Sequence, residues 1–386
     1  MIPRELSSVL LSAAKDYPVV TLTGPRQAGK TTLVKAVFPE YTYCNLENPE
    51  IRRLATEDPK QFFSLHKGPL ILDEIQRVPE LLSWIQVRVD ESREKGAFIL
   101  TGSHQLQLHE AISQSLAGRT ALLRLFPLSI KELVDAGVAS EKNALLHSGF
   151  LPRIHDDSLE PSEAYANYFR TYVERDVRQL MEIRNLSLFE NFIRLLAGRV
   201  GQPLNLSRLS GDVGVSGTTL KEWLSILEAS FVILRLPPYY RNFGKRVVKS
   251  PKIYFVEPGL ACWLLGIESP AEAARDPLHG NLFENMVVME AFKARMNRGK
   301  EANLYFWQDS NGNEVDLLFD RQRRLAPIEI KSAMTWHREF AANVVKFRRA
   351  IPDAEPGYVV YAGDLFPKHE DYSVLNFRDL GRVFDP

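Results

Sequence analysis

The sequence predicts an α/β protein with a parallel-sheet region near its start, a helical middle and a second α/β region toward its end. Three observations carry this. Between Pro18 and Leu125 short β-rich apolar runs alternate with helical stretches, the pattern of a parallel sheet with crossover helices. From Phe126 the periodicity becomes helical and closes on one apolar strand, FVILRL. After Lys252 a helical stretch and further strands return.

The elements follow in order. The opening MIPRELSSVLLSAAKDY has helical apolar spacing broken by Arg4, Lys15 and Asp16, unlike the continuous core of a signal peptide. Strands are expected at 19–23, 41–46, 69–74, 97–102 and 120–125, so residues 1–128 form the first sheet domain. Residues 129–185 read as a helical connector, with Tyr165, Phe169, Tyr172, Val173, Val177 and Leu180 on one stripe. Residues 186–240 show helix, turn, helix and apolar strand, which reads as a winged helix-turn-helix. Residues 241–386 carry a helix at 282–296 and strands at 303–307, 314–319, 326–331 and 357–362. There is no internal repeat.

Composition sets bounds on function. The 386 residues are 45% hydrophobic and 25% charged, enough to bury two or three cores. Lys plus Arg and Asp plus Glu number 48 each, so no global field marks a nucleic-acid or membrane binder, and any basic surface must be local. No apolar run is long enough to span a bilayer, and a cytoplasmic protein without membrane partners is expected. Cys44 and Cys262 form no CxxC pair, and the eight histidines show no paired spacing, so no metal other than Mg²⁺ is indicated.

Residues 24–31 read Gly24, Pro25, Arg26, Gln27, Ala28, Gly29, Lys30, Thr31, directly after an apolar strand and before the helical stretch that Thr32 continues. This is a phosphate loop in its required context. The two glycines let backbone N–H groups wrap phosphate oxygens, Lys30 reaches the β- and γ-phosphates, and the Thr31 hydroxyl joins a Mg²⁺ shell. The later strand PLILDE ends in Asp73 and Glu74: Asp73 would hold Mg²⁺ through water, and Glu74 would orient and deprotonate the attacking water. FILTG ends in Thr101, Gly102 and Ser103, where a hydroxyl could sense the γ-phosphate or simply cap the strand. Arg119 could contact nucleotide in its own or a neighbouring subunit, or form a surface ion pair. No base-reading Asn-Lys-x-Asp motif follows, which favours ATP over GTP.

A second acidic set lies in EVDLLF and APIEIKS. Alternation puts Glu314 and Asp316 on one face, Glu329 and Lys331 on another, and a hairpin would bring them together. Asp316 and Glu329 as Mg²⁺ ligands, Lys331 beside the scissile phosphate and Glu284 as a third acid would suit phosphodiester cleavage. The same pattern fits an amphipathic hairpin with solvated charges, and Asn281 with Glu284 fits a helix capping box. From Ala229 to Val256 no acid occurs, while Arg235, Arg241, Lys245, Arg246, Lys249 and Lys252 are interleaved with Tyr239, Tyr240 and Phe243. With Lys221 these could bind a nucleic-acid backbone; a basic linker packed on an acidic neighbour looks the same.

Taken together, GPRQAGKTT, LILDEIQ, ILTGS, LAGR followed by PLSIKEL, YVERDV, FENMVVMEAF and EVDLLF with PIEIKSA resemble the bacterial and archaeal AAA-type ATPases that carry a C-terminal DUF4143 region. The resemblance covers almost the whole chain. It implies an AAA-like P-loop domain, a winged helix, and a C-terminal domain similar to the restriction-endonuclease-like PD-(D/E)xK fold, with Asp316, Glu329 and Lys331 matching its nuclease motif. One departure is Glu257 in FVEPGL, where the family usually has Asp. The expected function is Mg²⁺-dependent ATP binding and hydrolysis coupled to nucleic acid, DNA more than RNA, with phosphodiester cleavage or, alternatively, a non-cleaving interaction module at the C-terminus. A homo-oligomer is a further expectation.

Overall fold

Val19–Thr23 (β1) is VVTLT, β-branched at four of its positions and buried throughout, as a strand covered on both faces requires. Thr42–Asn45 (β2), Leu70–Asp73 (β3), Phe98–Gly102 (β4) and Thr120–Arg124 (β5) complete a parallel sheet in the order β2-β3-β4-β1-β5. The registers Val19↔Phe98 and Leu70↔Phe98 align the C-terminal ends of β1, β3 and β4. Those ends therefore form one rim, where open parallel sheets place their ligands. Alternation divides the core between the two faces. Leu70, Leu72, Phe98 and Leu100 pack with Ile75, Leu81 and Ile85, whereas Val20, Leu22, Ile71 and Ile99 pack with Leu6, Leu10, Leu33 and Val34.

The structure is a computed structural model that describes residues 1–103, 115–138, 141–177, 185–239, 250–322 and 324–385. The chain forms two compact units. The first is Met1–Leu128 with Ala229–Phe231 and Met296–Lys300, and the second is Ser129–Glu228, Val232–Arg295 and Glu301–Pro386. The expected connector, helix-turn-helix and C-terminal region fall largely within the second unit.

In that unit the striped segment of the connector begins as an α-helix, Pro161–Tyr168, and continues as a π-helix, Phe169–Val177, rather than as one α-helical stripe. Tyr165, Phe169, Tyr172 and Val173 are buried as the stripe requires, while Leu180 lies outside the described residues. Helices Leu206–Val213 and Gly217–Ala229 are joined by a short turn that Gly214 enters at φ 79°. They lead into an antiparallel pair, Ile233–Leu236 (β6) and Lys252–Phe255 (β7).

The second sheet has the order β12-β11-β10-β9-β8, from Leu304–Gln308 (β8), Glu314–Arg321 (β9), Arg324–Lys331 (β10), Gly357–Tyr361 (β11) and Tyr372–Asn376 (β12). β8, β9 and β10 are antiparallel; β10, β11 and β12 are parallel. The hairpin expected between β9 and β10 is present, with Leu317 opposite Ile328.

The long helix His279–Met296 ties these parts of the unit together. Asn285 pairs with both backbone groups of Phe255 at 2.6 and 2.9 Å, and Glu290 accepts from Ile130 N–H at 2.7 Å. Asn281, inside this helix, donates to Val200 O, and Glu284 turns to other partners, so the two do not form a capping box.

Candidate functional site

The residues between β1 and the helix Lys30–Val37 build a cup at the C-terminal rim of the first sheet. Gly24 has φ 148°, and a Cβ there would lie 2.0 Å from Leu125 O; Gly29 has φ 89°. Only glycine meets both demands without strain. Gln27, at φ 61°, is the residue between them that takes the left-handed region at a cost. Ala28 is buried, and its carbonyl accepts from Arg4 Nη1 at 2.7 Å, which fixes the loop to the N-terminal segment.

Lys30 is 6% exposed and donates to Gly24 O at 2.9 Å and Pro25 O at 2.8 Å. Burial lowers its ammonium to about 8, against the raising effect of Glu74 and Asp73. An ammonium disfavoured in this way, at the mouth of a ring of N–H groups, is poised to gain from an anionic ligand.

Asp73, 4% exposed, lies in front of the helix N-terminus. It accepts from Thr31 Oγ1 at 3.1 and 3.0 Å, from Tyr43 Oη at 2.6 Å and from Thr101 Oγ1. Burial and then Asp73 itself raise the Tyr43 phenol well above its ordinary value, so it stays a donor, and Lys35 Nζ lies 3.5 Å from its ring centroid. Glu74 follows in the left-handed region, φ 59°, with its N–H on Thr101 Oγ1 at 3.2 Å. Its carboxylate accepts from Ser103 Oγ at 3.2 Å and from Gln76 Nε2.

The predicted loop, Thr31, Asp73, Glu74 and Ser103 are thus assembled on one rim. Arg119 is not: its Nε and Nη2 pair with Asp90 at 2.6 and 2.8 Å, the surface ion pair weighed as its alternative. Tyr43 and Gln76 were not singled out by sequence reasoning. An alternating strand of four residues gives a tyrosine no special signal, and Gln76 closes the LILDEIQ segment of the family resemblance without a role assigned to it there. A hydroxyl beside a buried carboxylate is a hard-oxygen pair suited to Mg²⁺, so Thr31 and Asp73 fit that ion.

The second acidic set is also assembled, with an unexpected member. Lys252, 1% exposed, bonds Glu284 at 3.0 Å and Glu314 at 2.6 Å. Burial opposes its charge, but Glu284, Asp316 and Glu314 overcome this and hold the ammonium above its ordinary value. Tyr254 Oη also donates to Glu284 at 2.6 Å. Lys331 lies 2.6 Å from Glu329 and 3.7 Å from Asp316, and Asp316 accepts from Ile330 N–H at 2.8 Å. Asn343 donates to Glu329 Oε1 at 3.2 Å, while Glu329 Oε2 is buried and accepts from no donor among the described residues. Burial, with Asp316 for Glu329 and against the pull of both lysines, raises Glu284 to about 7 and Glu329 to about 8.

Two built-in ammonium groups therefore hold the four carboxylates, and among the described residues no set of three or more His, Cys, Asp or Glu is disposed to hold a metal ion. In this arrangement Lys331 supplies compensating charge to the expected pair Asp316 and Glu329. The basic stretch changes meaning as well. Lys252 is an internal counter-ion rather than a phosphate contact, and Arg235 pairs with Glu228. Arg241, Lys245, Arg246, Lys249, Tyr240 and Phe243 lie outside the described residues. Cys44 and Cys262 are buried and free. Among the described residues no helix is long and apolar enough to cross a membrane.

Comparison with known proteins agrees with the first site. An AAA domain profile matches residues 16–134, and two profiles described as domains of unknown function, DUF8612 and DUF4143, match residues 141–271 and 279–380. Uncharacterized proteins of Mycobacterium tuberculosis and Mycobacterium bovis are each 34% identical over 337 residues, covering 86% of this chain and 74% of theirs. A Haemophilus influenzae protein is 23% identical over 330 residues, 76% of this chain and 79% of its own. Among solved structures, a Walker-type ATPase of Pyrococcus abyssi aligns with 17% identity, 68% of this chain, 96% of its own and a TM-score of 0.48. AMPPCP-bound DnaA from Aquifex aeolicus aligns with 16% identity, 58% of this chain, 85% of its own and a TM-score of 0.31. The loop, the acidic strand end, the profile matches and the 34% identical relatives place the chain in the family of AAA-type P-loop ATPases with a C-terminal DUF4143 region.

Proposed function

We propose that the chain binds and hydrolyses ATP at the rim formed by Gly24–Thr31, Asp73 and Glu74, in a Mg²⁺-dependent reaction coupled to nucleic acid. The observation that carries this is the convergence of Lys30, Thr31, Asp73 and Glu74 on one rim from separate elements. Bound Mg²⁺, held by Thr31 and Asp73, would offset charge on the phosphate oxygens. The chain's own groups supply the rest. Loop N–H groups cradle the phosphates, and Lys30 exchanges the carbonyls of Gly24 and Pro25 for phosphate oxygens. Tyr43 and Thr101 fix the Asp73 carboxylate, and Glu74 takes a proton from the attacking water. The test is turnover of the purified chain with and without Mg²⁺. Lys30→Ala should abolish turnover while melting is unchanged; unaltered turnover in that variant refutes the reading.

The helix-turn-helix with its strand pair is the proposed nucleic-acid contact, DNA more than RNA, with Lys221 exposed on the second helix. The C-terminal sheet is proposed as a non-cleaving module, because Lys331 and Lys252 occupy the carboxylates that cleavage would require for a metal ion. Running ATPase and cleavage assays together on single-stranded, duplex and branched DNA and on RNA separates these statements. Salt-sensitive DNA binding that alters ATP turnover without strand scission is expected. Mg²⁺-dependent scission lost in Glu329→Ala refutes the module.

A further inference from the structure

Gln76 stands at the end of a chain of contacts that the reaction above does not yet use. Its Nε2 donates to Glu74 Oε2 and reaches Ser103 Oγ at 3.4 Å, and Ser103 Oγ donates to the same carboxylate oxygen. The other end of the carboxamide, Oε1, is buried and accepts no hydrogen bond from a described protein donor. The short 3-10 helix Ile75–Arg77 buries Ile75 in the core, which anchors the backbone that carries Gln76. A carboxamide is a two-ended group. With its donor end fixed on a carboxylate, its acceptor is a fixed distance from that carboxylate. A buried acceptor held without a donor is unfavourable.

We propose that Gln76 is a positioning residue for hydrolysis: its amide N–H holds the Glu74 carboxylate, and its carbonyl oxygen accepts one O–H of the attacking water. Glu74 accepts the other O–H, so the two residues fix the water's orientation together. The water oxygen forms a bond to the γ-phosphorus as the bond from that phosphorus to the β,γ-bridging oxygen breaks. The bond's electron pair leaves on the ADP oxygen. One water proton passes to Glu74 and then to solvent, giving ADP, inorganic phosphate and a proton. This inference rests on the reading of Glu74 as the base.

The test uses the full chain, with ATP turnover and separately measured affinity for a fluorescent ATP analogue, for wild type, Gln76→Ala, Gln76→Met, Glu74→Gln and the Gln76→Met/Glu74→Gln double variant. Gln76→Met keeps the volume and removes both polar ends, so its melting temperature shows that the fold is retained. A fall in kcat of about 30- to 100-fold is expected for both Gln76 variants. KM and analogue affinity should stay within about twofold, a split that a merely structural role would not produce. The double variant should be no slower than Glu74→Gln alone, because the two residues act as one unit. Turnover of a Gln76 variant at or above the wild-type value overturns the proposal, as does a loss that appears in affinity instead of kcat, or losses that multiply in the double variant. If wild type shows no ATP turnover, or Glu74→Gln turns over like wild type, the reading of Glu74 itself falls and this inference with it.

Discussion

Glu257 offers a sharp physical test of the second unit. It precedes the helix Pro258–Leu264, yet its side chain does not cap that helix. Oε2 instead accepts from Tyr165 Oη and from Phe150 N–H at 3.0 Å, and Oε1 is buried and accepts from no donor among the described residues. Burial raises the carboxyl from 4.5 to about 7 despite Lys293, Tyr165 and the Phe150 N–H, with Glu290 adding to the rise. The sign follows from linkage. Between these two values the folded chain holds a proton that the unfolded chain has lost, so the group's contribution to stability falls as pH rises. At about 1.4 kcal/mol per pH unit, the full loss is about 3 kcal/mol by pH 8.5 and less than about 1 kcal/mol at pH 5. Glu257→Gln mimics the protonated form and does not titrate. Its stability relative to wild type should therefore grow by about 2–3 kcal/mol from pH 5 to pH 8.5, or about 5–10 °C in melting temperature for a unit of this size. Thermal melts of both proteins in matched buffers read the difference directly and cancel the titration of Glu284, Glu290 and Glu329. A difference that is constant with pH, or that shrinks as pH rises, would refute the reasoning.

Other variants address the remaining contacts. Tyr43→Phe removes a donor to Asp73 and should raise the Mg²⁺ concentration for half-maximal ATPase activity by about 10-fold, with the maximal rate less affected; a Mg²⁺ titration checks it. Lys252→Met leaves Glu284 and Glu314 facing each other without their cation and should cost about 3–5 kcal/mol in denaturant melts at pH 8, less at pH 6 where Glu284 takes a proton. Arg119→Ala removes an exposed partner of Asp90 and should leave ATP turnover within about twofold; a large fall would place Arg119 at the nucleotide after all.

The parallel sheet and the phosphate loop were legible because each rests on local order. A strand that alternates correctly, two glycines at fixed spacing and a helix that follows at once are all properties of neighbouring residues. The hairpin bringing Asp316 near Glu329 was legible for the same reason. Lys252 was not. Sequence reading counted it among six cations in an acid-free stretch, but its partners Glu284 and Glu314 come from elements far along the chain. Charge composition shows how many ions there are and not which ones meet. Glu257 stood out as a departure from the family's Asp, but only the fold reveals that its longer side chain reaches Tyr165 instead of capping its own helix. The π-helical turn after Tyr168 has no sequence signal that we can name.

The helix His279–Met296 carries three attachments on one rod: Glu284 to the lysine of β7, Asn285 to the backbone of Phe255, and Glu290 to the amide of Ile130. Each residue added to a helix turns everything beyond it by about 100° and advances it by 1.5 Å. An insertion or deletion between Asn285 and Glu290 would leave either set of contacts intact only by swinging the other away, so point changes on the outer face should be tolerated where a one-residue change of length is not. The spacing of these residues is thus a gauge, fixing how β7 and the segment at Ile130 are set against each other about a common axis.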